Sequence, residues 1–232
     1  MKIALINPNS TASMTQKALV SALKVVSEGT SVVASNPSDT PKSIEGHYDE
    51  AISLPGLLKE VEIARQGGCD GVVVACFDDP GLGACREIFA GPVIGICEAA
   101  MHAASFIATS FSVVTTLPRS IPIVESLAHH YGMSRFCRRV RAADLPVLAL
   151  EDEASGAREK IRDEILLAVR EDRSEAVILG CAGMADLTAW LTEQTGVPVI
   201  DGVVAGVKMV EALVGAGLAT SKIGAYAPPR VK

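Results

Sequence analysis

The chain has 232 residues, a net charge of −6, and 49% hydrophobic but only 4% aromatic residues. That length admits one domain or two small ones with a sizeable core, and so few aromatics require an interior of Val, Ile, Leu and Ala. The acidic balance argues against a nucleic-acid partner, and no apolar run is long enough to span a bilayer, which excludes a membrane partner.

The first element, residues 2–6, reads as a strand from the outset with no secretory signal ahead of it, so a cytoplasmic protein is expected. Further strands are predicted at residues 30–35, 71–76, 92–97, 111–115, 136–141, 175–180 and 197–200. Between them fall helices at residues 11–27, 48–67, 80–89, 98–108, 120–131, 154–172, 184–195 and 203–217. Alternation of this kind predicts an α/β fold with mainly parallel sheets covered by helices. Gly67-Gly68 reads as a helix stop, and Asp79-Pro80 as a cap followed by a proline in the first helical turn. The tail from Ala225 to Lys232, with its Pro228-Pro229, is expected on the surface.

The elements repeat. Asp70-Gly71-Val72-Val73-Val74-Ala75-Cys76 leads to Gly91-Pro92-Val93-Ile94-Gly95, and Glu175-Ala176-Val177-Ile178-Leu179-Gly180-Cys181 leads to Val197-Pro198-Val199-Ile200-Asp201. Cysteine and proline are 16 residues apart in one copy and 17 in the other. Each half also opens with a strand running into a polar turn, Ile6-Asn7-Pro8-Asn9-Ser10-Thr11 and Val114-Thr115-Thr116-Leu117-Pro118-Arg119-Ser120. Asn7 precedes Cys76 by 69 residues and Thr116 precedes Cys181 by 65. Two pseudo-symmetric α/β domains facing each other across a cleft follow from this, one of residues 1–98 with 210–232, the other of residues 99–209.

Open parallel sheets bind ligands beyond the carboxyl ends of their strands. Asn7, Cys76, Thr115 and Cys181 all fall at such ends, in two matched pairs. A thiol on each side of a substrate suits removal of a proton from one face of a carbon and its return to the other, with no metal or organic cofactor. A free thiol titrates at about 8.5 and lower at a helix N-terminus. Cys76 and Cys181 each precede a predicted helix, so depressed thiols are expected. Asn7, Asn9 and Ser10 offer donors from the first turn, which also reads as a helix cap, and Thr115 and Thr116 offer donors from the other side. Ala182 and Gly183 let a ligand approach the backbone beside Cys181. The contrasting account of the cysteines is buried packing at two duplicated strand ends, in a two-lobed protein that binds a small molecule without chemistry.

All six cysteines read as thiols, with Cys69, Cys85, Cys97 and Cys137 as packing residues. No C-x-x-C spacing with matching histidines suggests a metal site, and His47, His102, His129 and His130 read as ordinary surface or core residues. The run Arg135–Arg141 alternates as a half-exposed strand and reads as a solvated face or subunit contact. Ser43-Ile44-Glu45-Gly46-His47-Tyr48-Asp49-Glu50 is a polar loop before a helix, placed to close over the cleft.

Together, Ile6–Thr11, Gly46–Glu50, Cys76-Phe77-Asp78-Asp79-Pro80-Gly81-Leu82, Gly180-Cys181-Ala182-Gly183-Met184 and Val197–Asp201 resemble the hydantoin and allantoin racemases. These form a branch of the aspartate/glutamate racemase superfamily, and the likeness covers nearly the whole chain. The resemblance implies two pseudo-symmetric domains, cofactor-independent racemisation with Cys76 and Cys181 as acid and base, and a homo-oligomer. It adds Phe77, Asp78 and Gly180 to the substrate-binding residues. Amino-acid racemases of the superfamily carry Cys-Asn-Thr and Cys-Thr-His, where this chain has Cys76-Phe77-Asp78 and Cys181-Ala182-Gly183. Its decarboxylases keep a single cysteine of the pair. A neutral cyclic ureide, racemised at C5 of a 5-monosubstituted hydantoin, therefore fits better than a free amino acid. Allantoin racemase, or another isomerase or amino-acid racemase of the superfamily, is the alternative.

Overall fold

Alternating apolar residues at the head of each half become the central strands of two separate sheets. The computed structural model describes residues 1–230; Val231 and Lys232, the last of the tail expected on the surface, lie outside the described residues. The first half runs β1 (Lys2–Ile6), α1 (Ala12–Leu23), β2 (Ser31–Ser35), α2 (His47–Gln66), β3 (Gly71–Val74), α3 (Leu82–Ile88), β4 (Val93–Gly95) and α4 (Ile96–Ile107). The second repeats it as β5 (Phe111–Thr115), α5 (Ile121–His130), β6 (Cys137–Ala142), α6 (Ala157–Glu171), β7 (Ala176–Leu179), α7 (Thr188–Thr195), β8 (Val199–Ile200) and α8 (Gly202–Gly215). Both sheets are parallel, ordered β2-β1-β3-β4 and β6-β5-β7-β8, so each strand has its counterpart at the same place. No helix among the described residues is long and apolar enough to cross a membrane.

Successive strand residues point to opposite faces, and the packing follows that alternation. Ile3, Leu5 and Val73 of the first sheet join Phe111, Val113 and Ile178 of the second in one central core. Their neighbours Ala4, Ile6, Val72 and Val74 face an outer core under α2 and α3, while Val114, Val177 and Leu179 face another under α6 and α7. With each fully buried Val, Leu or Ile contributing about 1.5–3 kcal/mol, sheets covered on both faces explain the near-continuous apolar strands. The central layer also locks the halves together. Helix α4 packs on β7 and β8, and α8 packs on β3 and β4, so each half covers the other's sheet with its last helix. The two helices start side by side, where a Cβ on Gly202 would lie 2.5 Å from the Ile96 carbonyl oxygen.

The structure departs from the expected elements at several points. Strands β3 and β7 end at Val74 and Leu179, short of the cysteines; their last ladder bonds run from Ala75 to the Ile6 carbonyl and from Gly180 to the Val114 carbonyl, both 2.8 Å. Asp79 does not cap the helix that follows it. Instead Gly81, with φ +63°, precedes α3, and Asp79 reaches across to the start of α4. There its carboxylate accepts the N–H groups of Cys97 at 3.0 Å and Glu98 at 2.8 Å and the hydroxyl of Tyr131 at 2.8 Å. Arg141 is buried rather than solvated, its guanidinium paired with Asp172, Glu164 and Glu171, which ties the edge strand β6 to the end of α6. The described tail residues, Ala225–Arg230, lie at the surface as expected, and just ahead of them the Lys222 ammonium donates to the carbonyls of Arg86, Glu87 and Phe89 at the end of α3.

Asp79 fits only because residue 95 has no side chain, since a Cβ there would lie 2.2 Å from its Oδ1. Gly95→Ala is therefore expected to lower stability by about 2 kcal/mol or more, the range for leaving buried helix N–H groups unpaired. Urea unfolding of the two proteins checks it; an unchanged midpoint would show that Asp79 does not depend on this approach.

Candidate active site

Because the two sheets place equivalent strand ends opposite one another, their carboxyl ends enclose a single cavity of about 30 Å³. Cys76 stands two residues past β3 and Cys181 two residues past β7, and both face into it. Asn7, Asn9, Phe77, Asp78, Thr115, Thr116, Gly180, Ala182 and Gly183 line the same space. Ser10 does not: its backbone N–H donates to the Pro41 carbonyl at 2.9 Å, which turns it toward the neighbouring loop. Met14, Ile44, Ala75, Ser120 and Val147 complete the wall without having been expected. Ile44 and Ser120 belong to segments already visible as motifs, whereas nothing in the local sequence marks Met14 or Val147.

The first turn is built by its own side chains. The Asn7 amide donates to Asn9 Oδ1 at 2.9 Å and to Thr15 Oγ1 at 3.0 Å, and Asn7 Oδ1 accepts the Asn9 N–H at 3.2 Å. Asn9 Oδ1 also accepts the Thr11 N–H at 2.9 Å. With both its N–H bonds engaged, Asn7 shapes the turn, and the Asn9 amide is the freer donor, meeting only the Met14 sulfur at 3.7 Å. On the facing side the Thr115 hydroxyl donates to the Gly180 carbonyl at 3.2 Å. Gly180 is required there, because a Cβ would lie 2.9 Å from Thr115 Cα.

A roof closes the cavity from both halves. Ile44 and Val147 are buried in it, and Glu45 Oε1 accepts the Val147 N–H at 3.0 Å across the cleft. The Lys17 ammonium donates to the Leu150 carbonyl at 2.8 Å and pairs with Glu151 at 2.9 Å. The Ile44 loop thus lies over the cleft and is held there by a segment of the other half.

Electrostatics differ from the sequence expectation. Each sulfur accepts a backbone N–H from two residues on, Asp78 for Cys76 and Gly183 for Cys181, and these favour the thiolates. Burial outweighs them. It pushes the Cys76 thiol well above the usual range, with the Asp78 carboxylate adding to the effect, and it pushes Cys181 up to about 11. No helix start compensates at Cys76, since α3 begins only at Leu82; after Cys181 there is just a 3₁₀ turn, Ala182–Leu187. Burial, then the Glu50 carboxylate, also raises Asp78 to about 6. Its Oδ2 is buried with no hydrogen-bond partner. The other four cysteines are packing thiols, Cys85 and Cys97 fully buried and Cys69 and Cys137 at the edges of the cores.

Two half-buried thiols on matched strand ends, with an unsatisfied carboxylate oxygen between polar turns, are equipped to exchange protons with a small neutral molecule. The chain matches the family model described as Asp/Glu/Hydantoin racemase over residues 3–210. A hydantoin racemase of Rhizobium meliloti is 60% identical over 232 residues, covering 100% of this chain and 96% of that one. The solved structure of allantoin racemase from Klebsiella pneumoniae is 51% identical with a TM-score of 0.98, over 100% of this chain and 95% of that one. Glutamate racemase from Francisella tularensis has the same fold, with 17% identity and a TM-score of 0.69 over 98% of this chain and 85% of that one. The chain belongs to the Asp/Glu/Hydantoin racemase family and is an isomerase of the racemase type.

Proposed function

We propose that this racemase acts at C5 of 5-monosubstituted hydantoins by proton transfer between Cys76 and Cys181, without a cofactor. The observation that carries this reading is the pair of thiols at symmetry-related strand ends of one enclosed cavity. One cysteine, as thiolate, takes the C5 proton from one face of the ring. The electron pair left on C5 spreads onto the adjacent ring carbonyl. The other cysteine, as thiol, gives its proton to the opposite face and is left as the thiolate, and exchange with solvent resets the pair. The roles reverse for the other enantiomer.

The remaining polar groups suit a ureide. Asp78 Oδ2, unpaired in its buried position, accepts a ring N–H, and the Asn9 amide and Thr116 hydroxyl donate to a ring carbonyl as charge develops on it. A carboxylate on the substrate would meet Asp78 as a like charge, which disfavours free amino acids. Met14, Ile44, Phe77 and Val147 give the wall an apolar stretch for the 5-substituent. Allantoin, whose ring carries the same kind of C5–H, is the second reading, favoured by the 51% identity to an allantoin racemase. Phe106 and Ile107, exposed by 79% and 61% at the end of α4, are apolar surface that a homo-oligomer would cover.

Proton NMR of single enantiomers of 5-isobutylhydantoin and allantoin in D₂O, alongside polarimetry, tests the activity. Loss of the C5–H signal with decay of rotation is expected for the hydantoin; exchange of neither ring above the buffer rate would overturn the reading. Cys76→Ser and Cys181→Ser should each reduce racemisation by about 10²–10⁴-fold, the usual size of a positioned acid or base. Each single variant should still exchange the C5 proton of one enantiomer, and full turnover by either would remove that cysteine from the mechanism.

Raised thiols also set the pH dependence. The active free enzyme needs one thiolate, so kcat/KM should climb from pH 7 toward pH 10 as that form accumulates below the Cys181 value of about 11. A flat profile across that interval would contradict it. Asp78→Ala, which removes the acceptor for the ring N–H, should raise KM by about tenfold or more, equivalent to ~1.4 kcal/mol, with the melting temperature unchanged; an unaltered KM would show that Asp78 does not touch the ring.

A further inference from the structure

The cavity that holds the cysteines has three firm walls and one thin one. Phe77 belongs to the central core, Met14 is 3% exposed, and Ile44 and Val147 are clamped through the hydrogen bond between Glu45 and Val147. Beside Cys181 the wall is Gly183, which presents no side chain. Behind it lies Leu150: a Cβ on Gly183 would sit 3.0 Å from Leu150 Cδ1 and 3.6 Å from Cys181 Sγ. Gly183 and Leu150 also line a second cavity of about 490 Å³. One glycine and one leucine side chain therefore separate the cysteines from a space many times larger.

The second cavity is chemically unlike the first. Lys17, Arg158, Asp152, Glu159 and Asp186 give its walls both signs of charge. A hydrocarbon end gains nothing among such groups, whereas a neutral ureido or carboxamide end offers both donors and acceptors to them. Leu150 is tethered through its backbone by the Lys17 ammonium on its carbonyl and the ion pair at Glu151, while its half-buried side chain packs at the edge of the outer core under α6 and α7. A change of rotamer of its isobutyl group gives up part of that apolar contact but breaks neither tether.

We infer that Leu150 determines how long a 5-substituent the racemase accepts, and that the cavity behind it receives the polar end of substituents too long for the first. This rests on the hydantoin reading, because the substituent leaves C5 from a point between the two sulfurs. Short substituents stay under Ile44 and Val147; longer ones pass Gly183 only where Leu150 gives way.

A matched series tests it: 5-methylhydantoin, 5-heptylhydantoin and 5-(3-ureidopropyl)hydantoin, the last two equal in heavy atoms, assayed by C5 exchange in D₂O. Leu150→Ala should raise kcat/KM for the ureidopropyl compound at least tenfold relative to the methyl compound, and for the heptyl compound by clearly less. Leu150→Phe, which keeps the partition filled, should lower the ureidopropyl value and leave the methyl value within twofold, so both variants report their own folding. An unchanged ureidopropyl-to-methyl ratio in Leu150→Ala would overturn the role of Leu150. An equal gain for the heptyl compound would overturn the polar destination. Failure of the unaltered chain to exchange any of the three rings would overturn the hydantoin reading itself, a result distinct from either.

Discussion

Burial of two sulfur atoms is the constraint from which the rest of the site follows. A thiol removed from water holds its proton more tightly, so Cys76 and Cys181 are weak acids in the closed protein and, once ionised, strong bases. On the proposed mechanism that is the property wanted for abstracting a proton from carbon, and it would carry a cost in the fraction of thiolate at neutral pH. The N–H groups of Asp78 and Gly183 moderate the cost without cancelling it. Low solvent access in turn demands a roof, and the roof has to come from both halves because the sulfurs do. Ile44 and Val147 supply its apolar underside, and Glu45 joins them.

The duplication is not a plain copy, and its asymmetry is concentrated where the halves handle helix capping. Gly95 and Asp201 occupy the same place in the repeat, three residues past Pro92 and Pro198. Asp201 caps its own helix, accepting the Val203 N–H at 2.7 Å. Gly95 has nothing to cap with, so Asp79 comes from the loop after Cys76 to do it for α4. The loop that bears Cys76, Phe77 and Asp78 is thereby fixed to the central helix layer, with Tyr131 as a third attachment. Beyond Cys181 the chain enters a 3₁₀ turn held in the outer core by Met184 and Leu187, whose first residues, Ala182 and Gly183, leave the wall thin. One face of the site carries a carboxylate on a pinned loop, while the other carries the Thr115 and Thr116 hydroxyls and the thin wall at Gly183. Such a division suits a ring held on one side and a variable substituent leaving on the other.

Local pattern made most of the fold legible. Eight apolar runs and eight amphipathic stretches were enough because strand and helix periods differ so clearly in a chain this poor in aromatics. The cysteines stood out because duplication puts the same residue at the same offset twice, and Asn7, Asn9, Thr115 and Thr116 followed from their position at strand ends. What escaped depends on contacts distant in sequence. Val147 enters the wall through a residue 102 positions away, and Asp79 caps a helix 18 and 19 positions on, which no local signal encodes. Ser10 shares the turn of Asn7 and Asn9, yet its partner is Pro41. Arg141 looks like part of a basic strand face until three carboxylates of α6 and its end close on it. The direction of the thiol shifts is hidden from the sequence for a related reason: proximity to a helix start is visible there, whereas burial by a roof from elsewhere is not.

The same contrast bears on how chemistry diverges on this fold. Glutamate racemase shares the architecture at 17% identity, so the two sheets and their facing ends do not by themselves select a substrate. On the proposed function, selection would fall to residues next to the cysteines and to the roof, which are short segments on a shared frame. In this chain Phe77 and Asp78 replace groups able to welcome a carboxylate with an apolar ring and a negative charge. Burial, then the Glu50 carboxylate, raises the Asp78 carboxyl to about 6, so it is ionised in the alkaline range where the proposed mechanism needs a thiolate. On the proposed mechanism the conditions that generate the base would thus keep the carboxylate charged, so that it would repel an anionic substrate while accepting N–H from a neutral ring. On the same proposed mechanism, activation of the cysteines and rejection of amino acids would be coupled through one loop, the one that Asp79 pins to the core.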